Sequence, residues 1–546
     1  MHEIGRCLVA QEPNRCFIVF NSGEESLGRK AQQTGVRSAQ EGISAVSVMG
    51  KLAVKQHLVV ALVSAVGCMS LIALILALVQ HNSVKPLSSF QYGMVFDAGS
   101  THTSLFVYTW PGDKENNTGV VSQVLVCDVE GPGISSYASD PPAAGASLIA
   151  CLRDAQAAIP AAQQRATPVY LGATAGMRLL RMQNVTQADW VMEEVAKTIR
   201  KYPFDFRGAR ILLGTEEGSY GWITNNYLLE GFIKYSFNGQ WVKPHGGRTT
   251  GALDMGGSST QITFTPRDPV KDPSSEVRFR LYGSDYNVYT HSYLCYGQQQ
   301  AMRLLQVQLH KRANTSQPVT HPCYHQGYTL QLTLGDLYNS PCVEKAGTFD
   351  PTDLVTFSGS SDHTQCLELV KAIFNFSHCA FPDCAFDGVY QPPIHGNFIA
   401  FSAYFYTFRF LGLAPQAPLP HVISTIQSVC RKDWATLKAD HPNEKEKYLR
   451  DYCASANYMM TLLLEAFKFN ETTWNSILFQ KQVADTDIGW TLGYMLNLSN
   501  LIPSDLPPSI TGVKGAQWAA EVAFIVFAFF LSLVVMVILC AWKPDN

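Results

Sequence analysis

Two stretches decide how the chain is read: Tyr92–Tyr108, YGMVFDAGSTHTSLFVY, and Thr250–Phe264, TGALDMGGSSTQITF. In each, an apolar run ends in Asp-x-Gly, a tip of Gly, Ser and Thr follows, and a second alternating apolar run returns. That pattern predicts a β-hairpin, with glycine where the turn needs positive φ or close backbone approach. A small-residue tip exposes N–H groups and hydroxyls that suit phosphate oxygens. An aspartate at the strand end, Asp97 or Asp254, suits the cation that accompanies a polyphosphate, usually held through water. One such hairpin is most often a plain turn. Two, in different halves of one chain, predict duplicated lobes facing each other across a phosphate.

Two segments between them carry further candidates. Val169–Leu180, VYLGATAGMRLL, reads as a strand and a turn, with Thr174 either a helix cap or a group at the mouth of a cleft. Ala209–Leu229, ARILLGTEEGSYGWITNNYLL, reads as a strand followed by an apolar-periodic helix. Its paired Glu216 and Glu217 either serve the helix dipole or supply a carboxylate that takes a proton from attacking water. For Thr174 the residues alone favour the cap; for the glutamates they leave the alternatives even.

Working outward, 546 residues are too many for one core. A net charge of −3, with no basic tract, excludes a nucleic-acid partner. Hydrophobic residues make up 47% and charged residues 16%, and the excess apolar content sits at the ends. Leu58–Val79 and Val522–Trp542 are uncharged runs near the ~20 residues a membrane helix needs. Lys51 and Lys55 before the first, and Lys543 after the second, place both termini (1–57 and 543–546) in the cytoplasm by the positive-inside rule. Everything between the spans is then outside. Ten cysteines, an even set, lie in that exterior part. Six glycosylation sequons, at Asn116, Asn184, Asn314, Asn375, Asn470 and Asn497, also fall only there. The first ~48 residues are polar without a clear period, and Met49 opens a compact basic lead that would serve as an initiator. No Walker A loop, HExxH, GxSxG elbow or CxxC pair supports a rival chemistry.

The ordered set DAGSTHT, GATAGMR, GTEEGSYGW, DMGGSSTQ and DIGWTLGYMLNL resembles the five apyrase conserved regions of the ecto-nucleoside triphosphate diphosphohydrolases. The resemblance runs from Tyr92 to about Pro503, and the spans and exterior cysteines fit the cell-surface branch. It implies an α/β fold of two RNase H-like domains of the actin, Hsp70 and sugar-kinase superfamily. Lobe I would be 92–213 with a returning segment 481–503, and lobe II 214–480, the nucleotide lying between them.

The resemblance also implies roles. Glu217 would be the general base. Ser100 and Ser259, with amides around Gly99 and Gly257, would cradle the phosphates, with His102 nearby unless it is a satisfied hairpin histidine. Asp97 and Asp254 would hold Ca²⁺ or Mg²⁺ through water, and Thr174 and Gln261 would fix the nucleophilic and metal-bound waters. Tyr406 and Tyr448 would sandwich the base, a tolerant contact because every base has a π-face. Trp490 would brace lobe I. Cys127–Cys151, Cys295–Cys342, Cys323–Cys366, Cys379–Cys384 and Cys430–Cys453 would be disulfides.

The implied activity is extracellular hydrolysis of nucleoside tri- and diphosphates at the plasma membrane by in-line attack of water, controlling purinergic signalling. Homo-oligomerisation through the spans stays open. Thr215 stands where Gln is usual and Ser258 where Ala is usual, and neither replaces a proposed catalytic group. Two other classes share parts of this pattern. A kinase of the superfamily would need intracellular ATP, which the exterior topology opposes. A dead receptor ectodomain is opposed by retention of Glu217, Ser100, Ser259 and both Asp-x-Gly tips.

Overall fold

The structure, a computed structural model, describes residues 42–78, 90–235, 241–242, 249–313, 318–344, 347–377, 379, 381–502 and 515–541. The tail to residue 41 with Cys7 and Cys16, Val79, Asn314, Pro503 and 542–546 lie outside the described residues. The chain forms two compact units, Met1–Val84 with Thr511–Asn546, and Lys85–Ile510.

The first unit holds two long helices, Gly42–Leu78 and Gly515–Ala541. Within them His57–Ile75 and Trp518–Leu539 are long and apolar enough to cross a membrane. The first helix begins before the predicted span, inside the stretch read as a polar tail. No proline interrupts Gly42–His57, so a helix nucleated in the apolar run propagates back through it. The two helices touch where side chains are small: a Cβ on Gly67 would lie 2.9 Å from Ser532 Oγ.

The second unit contains the same sheet twice. Strands β1 (Phe90–Ala98), β2 (Thr103–Pro111), β3 (Ser122–Val129), β4 (Pro168–Ala173) and β5 (Asp205–Ile211) lie in the order β3-β2-β1-β4-β5. The first three are antiparallel, and β4 and β5 run parallel to β1. Strands β6 (Gly251–Met255), β7 (Ser259–Phe264), β8 (Glu276–Leu281), β9 (Ser284–Leu294), β10 (Phe398–Ser402) and β11 (Ile477–Phe479) give β8-β9-β7-β6-β10-β11. With β8 as an extra edge strand, β9-β7-β6-β10-β11 repeats the first pattern in order and direction. This is the two-lobed RNase H-like architecture that the hairpins suggest.

Strand periodicity aims the chemistry. Successive side chains alternate faces. Met94, Phe96 and Ala98 of β1 enter one core, while Val95 enters a second core shared with the other sheet. Asp97 has the parity of Val95. In β6, Leu253 and Met255 pack into the outer core of their own sheet, and Ala252 into the shared one. Asp254 has the parity of Ala252. Both aspartates therefore point into the layer between the sheets.

Two helices fill that layer. Gly214–Leu228 packs against β6, β7 and β9, and Trp490–Ser499 packs on it and on β1 and β2. The sequence predicts an apolar stripe for the first of these, but the structure buries every residue from Glu217 to Asn226. A helix covered by a sheet on one side and a helix on the other has no solvent face to keep polar. Five disulfides join Cys127–Cys151, Cys295–Cys342, Cys323–Cys366, Cys379–Cys384 and Cys430–Cys453.

Candidate active site between two hairpins

The tips of β1–β2 and β6–β7 meet. A Cβ on Gly257 would lie 2.6 Å from Thr101 Cγ2 and 2.8 Å from Ser100 Oγ, so only glycine allows this approach. The second tip is pinned from behind. Gln298 N donates to Gly256 O at 2.9 Å, and Gln299 N and Gln300 N donate to Gly257 O at 2.9 and 3.1 Å. These amides begin the Gln298–Ala313 helix.

Beneath the tips sits Glu217, in the first turn of Gly214–Leu228 and 7% exposed. Arg178 Nη2 bonds to Glu217 Oε2 at 2.5 Å and to Ser259 Oγ at 3.1 Å. Gln261 Nε2 bonds to Ser259 Oγ at 2.7 Å and Ser292 Oγ at 2.9 Å, and lies 3.4 Å from Glu217 Oε2. Glu216, its neighbour, has the ordinary role. It accepts from Leu213 N at 2.9 Å at the helix start and pairs with Arg210 at 2.8 Å. The paired glutamates divide the two roles between them.

Three carboxylates share this space. Burial pushes Asp97 up to about 8, helped by the charge of Glu217 and less by Asp254, while the Trp490 indole acts the other way. Burial, then Glu217, pushes Asp254 up to about 7, opposed by the Ser402 hydroxyl and the Met255 amide. Burial also raises Glu217, against the pull of Arg178. Gln261 Oε1 and Arg178 Nε are buried without a hydrogen-bond partner, and Asp97 Oδ1 has none beyond the neighbouring Trp490 indole. Buried polar atoms are normally satisfied, so orphans gathered here mark a place built for something polar. The donors fit a hard divalent cation, because its charge relieves the repulsion and its water reaches the orphan oxygens. Among the described residues no three His, Cys, Asp or Glu side chains converge closely enough to ligate an ion directly.

The remaining residues fall into place unevenly. Thr174 stands at the N-cap of Ala175–Gln183 with its amide on Ala98 O at 3.1 Å, yet its buried hydroxyl makes no capping bond. Ser100 lies at the first tip; His102 there is exposed, and its Nδ1 meets only Thr101 Oγ1, at 2.9 Å. Tyr406 and Tyr448 are 48% and 45% exposed, so neither is core packing. Tyr406 follows Ser402 by one helical turn, whereas Tyr448 carries Lys447 over its ring at 4.7 Å. Asn375 and Asn470 sit in exposed turns, Asn184 caps a helix, Asn116 has φ 47°, and Asn497 is half-buried in a helix.

Sequence reasoning missed Arg178, Ser292 and Ser402. Arg178 had a signal: it stands four residues after Thr174, one helical turn along the same face. A Cβ on Gly214 would lie 2.3 Å from Ser292 Oγ and 2.4 Å from Arg178 Nη1, which is why the helix carrying Glu217 opens with glycine.

Two RNase H-like sheets stand over a carboxylate cluster under paired small-residue tips, an arrangement whose donors suit phosphate oxygens. Residues 84–511 match the GDA1/CD39 (nucleoside phosphatase) family, and the chain belongs to it. It is 50% identical to ectonucleoside triphosphate diphosphohydrolase 8 of Gallus gallus over 489 residues, 90% of this chain and 99% of that one. The Homo sapiens protein of the same name is 48% identical over 492 residues, again 90% and 99%. Ectonucleoside triphosphate diphosphohydrolase 2 of Homo sapiens is 47% identical over 472 residues, 85% and 94%. A solved nucleoside triphosphate hydrolase from Neospora caninum, 15% identical, shares the fold with a TM-score of 0.55 over 81% of this chain and 95% of that one. The chain is thus an apyrase-type hydrolase, and its two apolar helices fit a membrane protein.

Proposed function

We propose that the enzyme hydrolyses extracellular nucleoside tri- and diphosphates, ATP, ADP, UTP and UDP among them, to monophosphate and orthophosphate. The observation that carries this reading is the buried Glu217, held by Arg178 beneath the meeting point of two phosphate-type hairpins. A water positioned by Thr174 and Gln261 gives its proton to Glu217. Its oxygen forms a bond to the terminal phosphorus while the bridging P–O bond breaks, and the shortened nucleotide leaves with that electron pair. Ser100 and Ser259, with amides at Gly99 and Gly257, hold the phosphate oxygens. Desolvation keeps Glu217 more basic than an ordinary carboxylate, and Arg178 fixes its direction.

Asp97 and Asp254 would hold the divalent cation, Ca²⁺ or Mg²⁺. When bound, the cation neutralises charge on the phosphate oxygens. Tyr406 and Tyr448 stack on the base, which makes base selection loose. Lobe I comprises 92–213 with 481–503 and lobe II 214–480. The two spans hold this part outside the plasma membrane with both termini in the cytoplasm, and the products are those of a purinergic signal being switched off.

The test is Glu217→Gln in the full-length protein. Turnover falls by about 10²–10⁴-fold, the usual worth of a general base, while ADP still binds by calorimetry. A variant that hydrolyses ATP at the wild-type rate removes Glu217 from the chemistry.

A further inference from the structure

Behind the hairpin tips lies a cavity of about 230 Å³, lined by residues of both lobes. Ser100 and Ser258, Gln299 and Gln300, Ser340 and Arg303 are among its polar lining residues. Arg303 is the only charged residue in that lining. It lies on the Gln298–Ala313 helix, one turn beyond the amides that pin the second tip. It is half-buried, and burial draws it below the usual guanidinium range, opposed only by the charge of Asp336. Among the described residues no carboxylate comes within ion-pair distance of it. Its Nη1 reaches Gln300 Oε1 at 3.4 Å.

A half-buried guanidinium with no ion-pair partner among the described residues, ringed by hydroxyls and amides, suits an anion, since Arg matches tetrahedral oxyanions with a fork of donors. Its neighbours identify the anion. Ser100 lines this cavity and also stands at the tip where phosphate is cut, and Ser258 is one residue before Ser259. Gln183 Nε2 donates to Asn339 O at 3.0 Å, tying the two sides of the cavity together.

We propose that this cavity is a product subsite, in which Arg303 receives the orthophosphate released between the hairpins. The inference rests on the hydrolytic reading above and extends it to the fate of the second product. Arg303 then sets how strongly phosphate inhibits, and leaves the first encounter with nucleotide untouched.

The experiment titrates inorganic phosphate, with Mg²⁺ present, into the full-length detergent-solubilised protein, and separately measures phosphate inhibition of ATP hydrolysis. Arg303→Gln weakens phosphate binding and raises the inhibition constant by about tenfold or more, the worth of a charge-assisted hydrogen bond. Its initial kcat and KM stay within about threefold of wild type, far less than the loss of a base. Gln300→Glu, which places a carboxylate beside the guanidinium without removing it, gives the same loss, and Arg303→Lys keeps part of the affinity. If Arg303→Gln and Gln300→Glu, both melting like wild type, bind phosphate as tightly as wild type does, the subsite is wrong. Absence of phosphate binding in the wild type ends it too. Phosphate binding needs no turnover, so this result stands apart from Glu217→Gln.

Discussion

The two hairpins share strand order and the Asp-x-Gly spelling, but they are built to different tolerances. In β6–β7 every strand residue is buried, and the tip is fixed by amides of the following helix and, through Ser259, by Arg178. In β1–β2 the tip residues Gly99 to Thr101 are half-buried, as Gly256 and Gly257 are in the other, but His102 is exposed where Ser258 is buried, and Asp97 Oδ1 has no partner beyond the Trp490 indole. One hairpin is finished by the protein itself. On the proposed function the other is finished by the ligand, so that the cleft combines a preorganised wall with a less constrained one.

The largest way to break the comparison is at its tether. Arg178 neutralises Glu217 and also grips Ser259. Arg178→Met leaves a buried carboxylate unpaired, which costs about 3–5 kcal/mol. Adding Glu217→Gln removes the charge and returns most of that loss. Urea unfolding of the two single variants and the double variant measures the coupling. Additive losses would mean that Ser259 and packing, not the ion pair, hold the second wall.

Next in size is the response of the aspartates to pH. Asp97 and Asp254 stand at about 8 and about 7 against an ordinary 3.8. Because the folded state binds these protons more tightly, their contribution is fully present below pH ~4 and is lost as pH rises through 7 and 8. Chelated protein therefore melts progressively lower across that window. A divalent cation reverses the loss, and the melting shift it causes grows with pH as protons cease to compete. Asp97→Asn and Asp254→Asn each flatten the curve. A cation-induced shift that is constant from pH 6 to pH 9 would place the ion elsewhere.

Much of this was legible in the chain. Both hairpins and the following β4–helix and β5–helix units appear where alternation, glycine and cap signals put them, because those signals are local. The doubled sheet followed from seeing one pattern twice. Other features were not legible. Glu216 and Glu217 are adjacent and identical, and only the burial of one beside Arg178 separates them. The wholly buried helix carrying Glu217 mimics an ordinary one because its Ser219, Thr224, Asn225 and Asn226 are polar, although three of them find partners inside. The Arg303 cavity joins side chains from distant parts of the chain, so no local spacing announces it.

The smallest effect sharpens the contrast most. His102 rides at the unfinished tip, and its ring meets Thr101 Oγ1 and nothing in the carboxylate cluster. It is exposed and its side-chain bond is to the neighbouring residue, so His102→Ala leaves the melting temperature nearly unchanged. Whatever it contributes comes only when phosphate brings the tip inward, and one hydrogen bond at a solvent-facing position changes kcat/KM by less than about tenfold. Ser259→Ala, on the finished wall, loses a group already committed to Arg178 and Gln261, so it disturbs both stability and rate. Equal, purely kinetic losses in the two variants would show that the tips close on phosphate alike and that their difference in burial has no functional meaning.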